Sequence, residues 1–310
     1  MPTIPSSTPT LSGRAWVELC LLSLLWGGSF FSIATALREI GPFTVVLHRV
    51  GWAALLLWGI ILIRGYAIPR EWRIWGASLI MGCLNNVIPF SLMSWGQLHV
   101  ESGLVSIFNA MTAPLGVLVA AILLSDERLT ANRLGGVLLA FAGACVIIGL
   151  DDLANLDLRA LGQWAVIGGA LSYAFASVWA KVTLRGVEPV VAAAGMLTGS
   201  TLVMLPTASL LEGLPTLDLS RPTWGAIAYY SIFATAAAYL LYYRVLGMAG
   251  AGNLMLCTLL IPPVAITLGW TFLDERLSPQ AFMGFALIAF GLILIDGRVL
   301  RIVHRQNTDR

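Results

Sequence analysis

The sequence predicts an all-α integral membrane protein of ten transmembrane helices, arranged as two inverted five-helix repeats around a central cavity. Three observations carry that prediction. The chain of 310 residues is 58% hydrophobic and 11% charged, with a mean hydropathy of +0.85, whereas a soluble domain holds about a quarter charged residues. Apolar stretches of roughly 20 residues, enough to cross about 30 Å of hydrocarbon, recur along its whole length. The tetrapeptide Asp126-Glu127-Arg128-Leu129 returns as Asp274-Glu275-Arg276-Leu277, each copy between the last two of five such stretches. Five is odd, so the second copy enters the membrane upside down. Inverted pairs of this kind build secondary transporters, whose substrate sites lie where the halves meet.

The elements follow in order. Residues 1–14 are rich in Pro, Ser and Thr and read as a disordered tail. The first repeat, 15–150, holds spans 15–37, 43–63, 73–97, 103–124 and 132–150. A polar linker, 151–160, carries three aspartates. The second repeat, 161–298, holds spans 161–182, 189–211, 223–246, 253–273 and 279–298, and 299–310 is a cytoplasmic tail. A signal peptide is not expected, because the first apolar stretch exceeds a typical h-region and many more follow. With the N-terminus inside, thirteen of the eighteen Lys and Arg residues fall on the cytoplasmic side, leaving Arg38, Arg49, Arg159, Arg221 and Arg276 outside. That bias orients both termini to the cytoplasm, in a plasma membrane that would be the inner membrane of a bacterium. A shift of 148 residues superposes Pro114 on Pro262, the tetrapeptide on itself, Gly136 on Gly284 and Gly143 on Gly291.

Composition also excludes. A net charge of +2 gives nucleic acid nothing to bind. Cys20, Cys83, Cys145 and Cys257 lie singly in apolar segments, and His48, His99 and His304 are scattered, so no metal site, cofactor or disulfide framework is expected. An enzyme would need a His-Glu-x-x-His motif, paired intramembrane aspartates or a nucleophile beside a histidine, and the chain has none of them.

The segments Ser125-Asp126-Glu127-Arg128-Leu129 and Leu273-Asp274-Glu275-Arg276-Leu277, each followed by a Gly-studded closing helix, resemble the drug/metabolite transporter superfamily, in particular its ten-span EamA-type members. Leu25-Trp26-Gly27-Gly28-Ser29-Phe30 and the arginine of Leu47-His48-Arg49 look like the same family. Size and topology are similar to YddG-type amino-acid exporters. The resemblance implies a basket in which spans 1–4 and 6–9 surround the cavity and spans 5 and 10 stand outside it.

Several residues inside the spans are candidates for the transport site. Pro114 in span 4 and Pro262 with Pro263 in span 9 predict matched kinks, since proline removes a backbone hydrogen bond and clashes with the preceding turn. Asn109 and Thr112 precede the first break, and Asn253 and Thr258 the second. They read as hinges whose freed polar groups hold substrate, or as static kinks bonded between helices. In span 3, Asn85 and Asn86 face either a wet cavity or other helices as interhelical glue. Trp26, Phe90, Tyr173 and Tyr239 are candidate cavity aromatics, with packing as the alternative; Tyr243 shares a helix face with Tyr239.

His48 and Arg49 form a possible charge site within span 2. Arg49 suits a carboxylate and His48 titrates near neutrality, or Arg49 pairs with Glu101 or a loop aspartate. Glu18, Lys181 and Arg244 are expected to snorkel from the cytoplasmic ends. Glu127 and Glu275 are expected to cap the start of a closing helix and pair with Arg128 or Arg276.

The expected function is secondary transport of small metabolites, most simply amino acids including aromatic and other apolar ones, out of the cell by alternating access. The alternatives are a carrier of drugs, nucleosides, sugar-nucleotides or organic cations on the same fold, or a non-catalytic scaffold or channel. Expected partners are the small-molecule substrate and membrane lipid, and the chain is expected to act as a monomer.

Overall fold

The structure is a computed structural model that describes residues 12–125, 127, 129–149, 157–183, 186–254 and 256–296. Most of the expected N-terminal tail, linker residues 151–156, the C-terminal tail, Asp126, Arg128 and Arg185 lie outside the described residues.

Ten apolar spans run through it: α1 Gly13–Ala36, α2 Pro42–Arg64, α3 Trp72–Gly96, α4 Ser102–Leu123, α5 Ala131–Ile148, α6 Leu158–Thr183, α7 Pro189–Leu211, α8 Arg221–Gly250, α9 Cys257–Phe272 and α10 Pro279–Asp296. Nine are long and apolar enough to cross a membrane, and α9 is shorter. The boundaries shift from expectation where local chemistry sets them. Ser12 accepts from Ala15 N–H and starts α1 at Gly13. Asp157 accepts from Ala160 N–H at 2.8 Å, so helix begins at Leu158, inside the stretch read as linker. Pro42 and Pro189 open α2 and α7 at first-turn positions that have no intrahelical use for an N–H.

Eight spans form a ring. The main neighbours of α1 are α8 and α9; those of α2 are α8 and α7; those of α3 are α7 and α6; and α4 lies between α6 and α9. The circuit is therefore α1–α8–α2–α7–α3–α6–α4–α9 and back to α1. Exchanging each span for its repeat mate (α1 for α6, α2 for α7, and so on) returns the same circuit, as an inverted repeat requires. The fifth span of each half stands outside, α5 packed along α10 and both against α4.

The α5–α10 seam shows why glycine recurs there. A Cβ on Gly136 would sit 2.5 Å from the Gly291 carbonyl oxygen, and one on Gly143 would sit 2.6 Å from that of Gly284. The two backbones touch at both levels, so only glycine fits. A similar approach at Gly27, where a Cβ would fall 2.6 Å from Val264, seats α1 against α9.

Carboxylates stitch the halves together on the face opposite the termini. Glu39, after α1, accepts from Ser220 N–H at 2.9 Å, from the Ser220 hydroxyl at 2.6 Å and from Thr223 at the start of α8. Glu212, after α7, accepts from Phe43 and Thr44 N–H at 3.0 and 2.8 Å at the start of α2. Glu275, after α9, accepts from Ser102 and Gly103 N–H at 2.9 and 3.3 Å at the start of α4. Each carboxylate neutralises orphan donors of a helix in the other half. Arg159 adds a two-pronged ion pair with Glu101 at 3.1 and 3.0 Å. Ser220 and Thr223 hydroxyls, followed by Ser220 N–H, hold the Glu39 carboxyl below its ordinary range.

Two expectations are corrected here. Glu275 caps α4 across the halves rather than the closing helix that follows it. Glu127, on the opposite face, holds side chains instead: Lys181 at 3.2 Å and Arg133 at 3.2 Å, which together keep it ionised below the usual carboxylate range. Glu18 does not snorkel. It is 8% exposed and is held by Arg14 at 3.1 Å and by Arg244, tying α1 to α8.

Candidate substrate site

The spans α3 and α8, repeat mates that face each other across α2 and α7, both loosen into π-helix near mid-span, over Cys83–Val87 and Tyr229–Ala237. A shift of 148 residues overlays the first segment on positions 231–235 of the second. Each has its own cause. Pro89 lacks an N–H and its ring crowds the carbonyl of Asn85, so the turn before it widens. In α8, the Thr235 hydroxyl donates to the Tyr230 carbonyl five residues back, at 2.7 Å, and holds the widened turn. Such bulges often mark functional positions because they re-aim side chains.

Side chains from these segments meet inside the ring. Asn85 donates from Nδ2 to the Tyr239 hydroxyl at 3.1 Å, and that hydroxyl donates to Asn86 Oδ1 at 3.0 Å. Asn86 donates in turn to Ser200 of α7 at 2.9 Å. Asn86 is fully buried with both ends of its amide engaged, which is the interhelical role; Asn85 is half-buried. The chain Asn85–Tyr239–Asn86–Ser200 thus links α3, α8 and α7, and so the two halves.

Arg49 of α2 lies beside this chain. It is 8% exposed. Its Nε donates to Thr235 Oγ1 at 3.0 Å, and its guanidinium stacks 3.8 Å from the centre of the Phe90 ring. Phe90 meets Tyr173 of α6 edge-on, with ring centres 6.4 Å apart. Tyr173, Tyr239 and Tyr230 all lie within electrostatic reach of the charge. The expected pairing with Glu101 does not occur, because Arg159 takes that carboxylate. Among the described residues, no carboxylate lies within ion-pairing distance of Arg49.

His48 parts company with its neighbour. One residue turns a helix by about 100°, which gives His48, itself buried at 7% exposed, different partners: it accepts from Trp52 Nε1 at 3.2 Å and meets Trp224 of α8 edge-on at 6.0 Å. Trp26 packs at 5.9 Å against Tyr242, at the α1–α8 side of the ring.

The two breaks fall upstream of their prolines. Helix in α4 ends at Asn109 and resumes at Thr112, with Pro114 in the first turn of the second piece. Asn109 is half-buried, and Thr112 Oγ1 is buried without a partner. In the second half Pro262 and Pro263 lie inside α9, Cys257–Phe272, rather than in its first turn. The non-helical residue is Gly250, at φ 76°, followed by Asn253, whose side chain returns to the Ala249 carbonyl at 2.9 Å, and Thr258 in the first turn of α9.

Sequence reasoning missed Ser200, Thr235 and Tyr230. Thr235 had a signal, since it precedes Tyr239 by four residues and shares its helix face. Tyr230 had none: it is fully buried among apolar residues, with its hydroxyl unpartnered.

An eight-span ring of two inverted halves, with polar side chains joining them at mid-span, is the build of a multi-pass membrane transporter. The chain belongs to the EamA-like transporter family, which it matches over residues 14–149 and again over 160–296. It is 24% identical over 282 residues to an uncharacterized transporter of Archaeoglobus fulgidus, covering 91% of this chain and 98% of that protein. It is 26% identical over 293 residues to a probable terminal-alkyne amino-acid exporter of Streptantibioticus cattleyicolor, covering 94% and 95%. A solved crystal structure shares the fold with a TM-score of 0.66 at 18% identity, covering 92% of this chain and 98% of the other.

Proposed function

We propose that this transporter moves small metabolites, amino acids above all, out of the cell by alternating access. In this reading both termini are cytoplasmic and the membrane is the plasma membrane, a bacterial inner membrane. The observation that carries the proposal is the Asn85–Tyr239–Asn86–Ser200 chain at the matched π segments. It spans the two halves where each would have to move against the other, and it stands beside one cation and several aromatic rings. That mixture suits a solute with a charged end and an apolar side chain. Similarity to a probable amino-acid exporter supports the direction and the class of cargo. A sugar-nucleotide would call for several buried cations, and Arg49 is the single buried Arg or Lys among the described residues.

The half-buried site residues Asn85, Tyr173 and Tyr239, with Asn109 and Thr112 at the α4 break, are the proposed contacts, and the two breaks are the proposed bends. The test is purified protein in liposomes, offered labelled amino acids with and without a pH gradient. Saturable flux that shows counterflow is expected of a carrier. Flux of nucleosides, sugars or cations with no amino acid carried would reject the assignment.

A further inference from the structure

We infer that Arg49 is a carboxylate clamp and that the site selects monocarboxylates by their acid group, with the amino group of an amino acid left unread. The inference rests on the transport reading and narrows it. A guanidinium at mid-span is expensive to strip of water, and a buried charge is normally paired. Here two of its three faces of interaction are taken by neutral groups. Thr235 Oγ1 occupies Nε at 3.0 Å, and the Phe90 ring covers the plane at 3.8 Å.

Pinned in this way, the guanidinium keeps its two terminal amino groups for a partner. Those two donors match the two oxygens of one carboxylate. Thr235 is therefore a positioning residue. It is itself anchored by the Tyr230 carbonyl at 2.7 Å, so the π segment of α8 sets the aim of an arginine on α2.

The other half of the inference concerns the ammonium group. Glu18 is the single buried carboxylate among the described residues, and it already serves Arg14 and Arg244 away from Arg49. Around the clamp stand Asn85, Tyr173 and Tyr239, all neutral. A 2-hydroxy acid and the matching amino acid thus meet nearly the same site. An amide or an amine brings no anion to the guanidinium, and an organic cation is repelled by it.

The experiment measures binding to the detergent-purified full chain by intrinsic fluorescence and thermal shift, using phenylalanine, phenyllactate, phenylalaninamide and phenethylamine. The expected result is that both acids bind within about fivefold of each other, while the amide and the amine bind about 100-fold more weakly, the scale of a buried charge left without its partner. Arg49→Gln should abolish acid binding. Arg49→Lys, which keeps the charge and guards against a folding failure, should weaken acids about tenfold through loss of the fork. Equal binding of acid and amide, no binding by either acid, or acid binding unchanged in both variants would overturn the clamp. Acid binding without flux in liposomes would uphold the clamp and defeat the carrier reading instead.

Discussion

Removing the Glu275 carboxylate should release the start of α4 on the face opposite the termini. The carboxylate accepts three hydrogen bonds there: Ser102 N–H at 2.9 Å, the Ser102 hydroxyl at 2.8 Å and Gly103 N–H at 3.3 Å. Nothing replaces it, because Glu101 at the N-cap position makes no side-chain cap. Room for the carboxylate comes from Gly269, where a Cβ would stand 2.3 Å from Oε2, and from Asp274, whose φ of 56° turns the chain back toward α4. Loss of a cap costs about 1 kcal/mol, and loss of the charge at the helix N-terminus about 0.5 kcal/mol more. A sum of about 1.5 kcal/mol corresponds to roughly a tenfold rise in local opening. Hydrogen exchange at the amides of 102–105 reads that opening directly, and should run about tenfold faster in Glu275→Ala. The repeat-related Glu127→Ala is the control, since Glu127 binds side chains and no helix terminus. Unchanged exchange in the first variant, or equal acceleration in both, would refute the reasoning.

Three further outcomes are expected. Gly143→Val sets a side chain against the Gly284 carbonyl, where even a Cβ would lie at 2.6 Å; the seam must part, at a cost of about 2 kcal/mol, seen as a lower midpoint of thermal unfolding. Asn86→Ala leaves the Tyr239 O–H without its acceptor and breaks the tie to Ser200, and should destabilise by about 1 kcal/mol, whereas Asn85→Ala should reduce substrate flux more than thermal stability. Glu127 has its carboxyl held low by Lys181 and Arg133. Its contribution is therefore complete above the ordinary carboxylate pKa of about 4.3 and disappears as pH falls through the lower folded value. Wild type and Glu127→Gln should differ in thermal midpoint at pH 7 and converge as the pH is taken below 4.

Much of the fold was written in features that survive without neighbours. Span length, the returned tetrapeptide and the glycines seven residues apart are local signals, and each corresponds to a feature of the ring or of its outer seam. The site was less legible because its chemistry depends on which faces meet. His48 and Arg49 are adjacent in sequence and both buried, yet about 100° of helix gives one Trp52 and Trp224 and the other Thr235 and Phe90. Asn85 and Asn86 look equivalent as letters, but only Asn86 reaches Ser200. Pro262 and Pro263 sit inside α9, whereas the non-helical backbone lies at Gly250, before that helix begins, where glycine's freedom at positive φ costs little. Glu101 went to Arg159 rather than Arg49 because the start of α6 lies beside the start of α4, which no spacing rule displays.

The symmetry of the ring and the asymmetry of its clasps bear on each other. The main neighbour relations of the eight-span ring are preserved when the halves are exchanged, so the sequence supplies two similar ways of packing. The carboxylate caps are not preserved. Glu39, Glu212 and Glu275 each hold a helix N-terminus of the opposite half on one face. On the other face, Glu127 binds Lys181 and Arg133, while the residues at the starts of α3 and α7 accept no side-chain cap. Charge-assisted caps on one face with no counterparts on the other bias the choice between two otherwise similar packings. In the proposed alternating access, opening the clasped face has to break those caps. A bound carboxylate at Arg49, which faces α8 through Thr235, would supply the differential interaction needed to offset them.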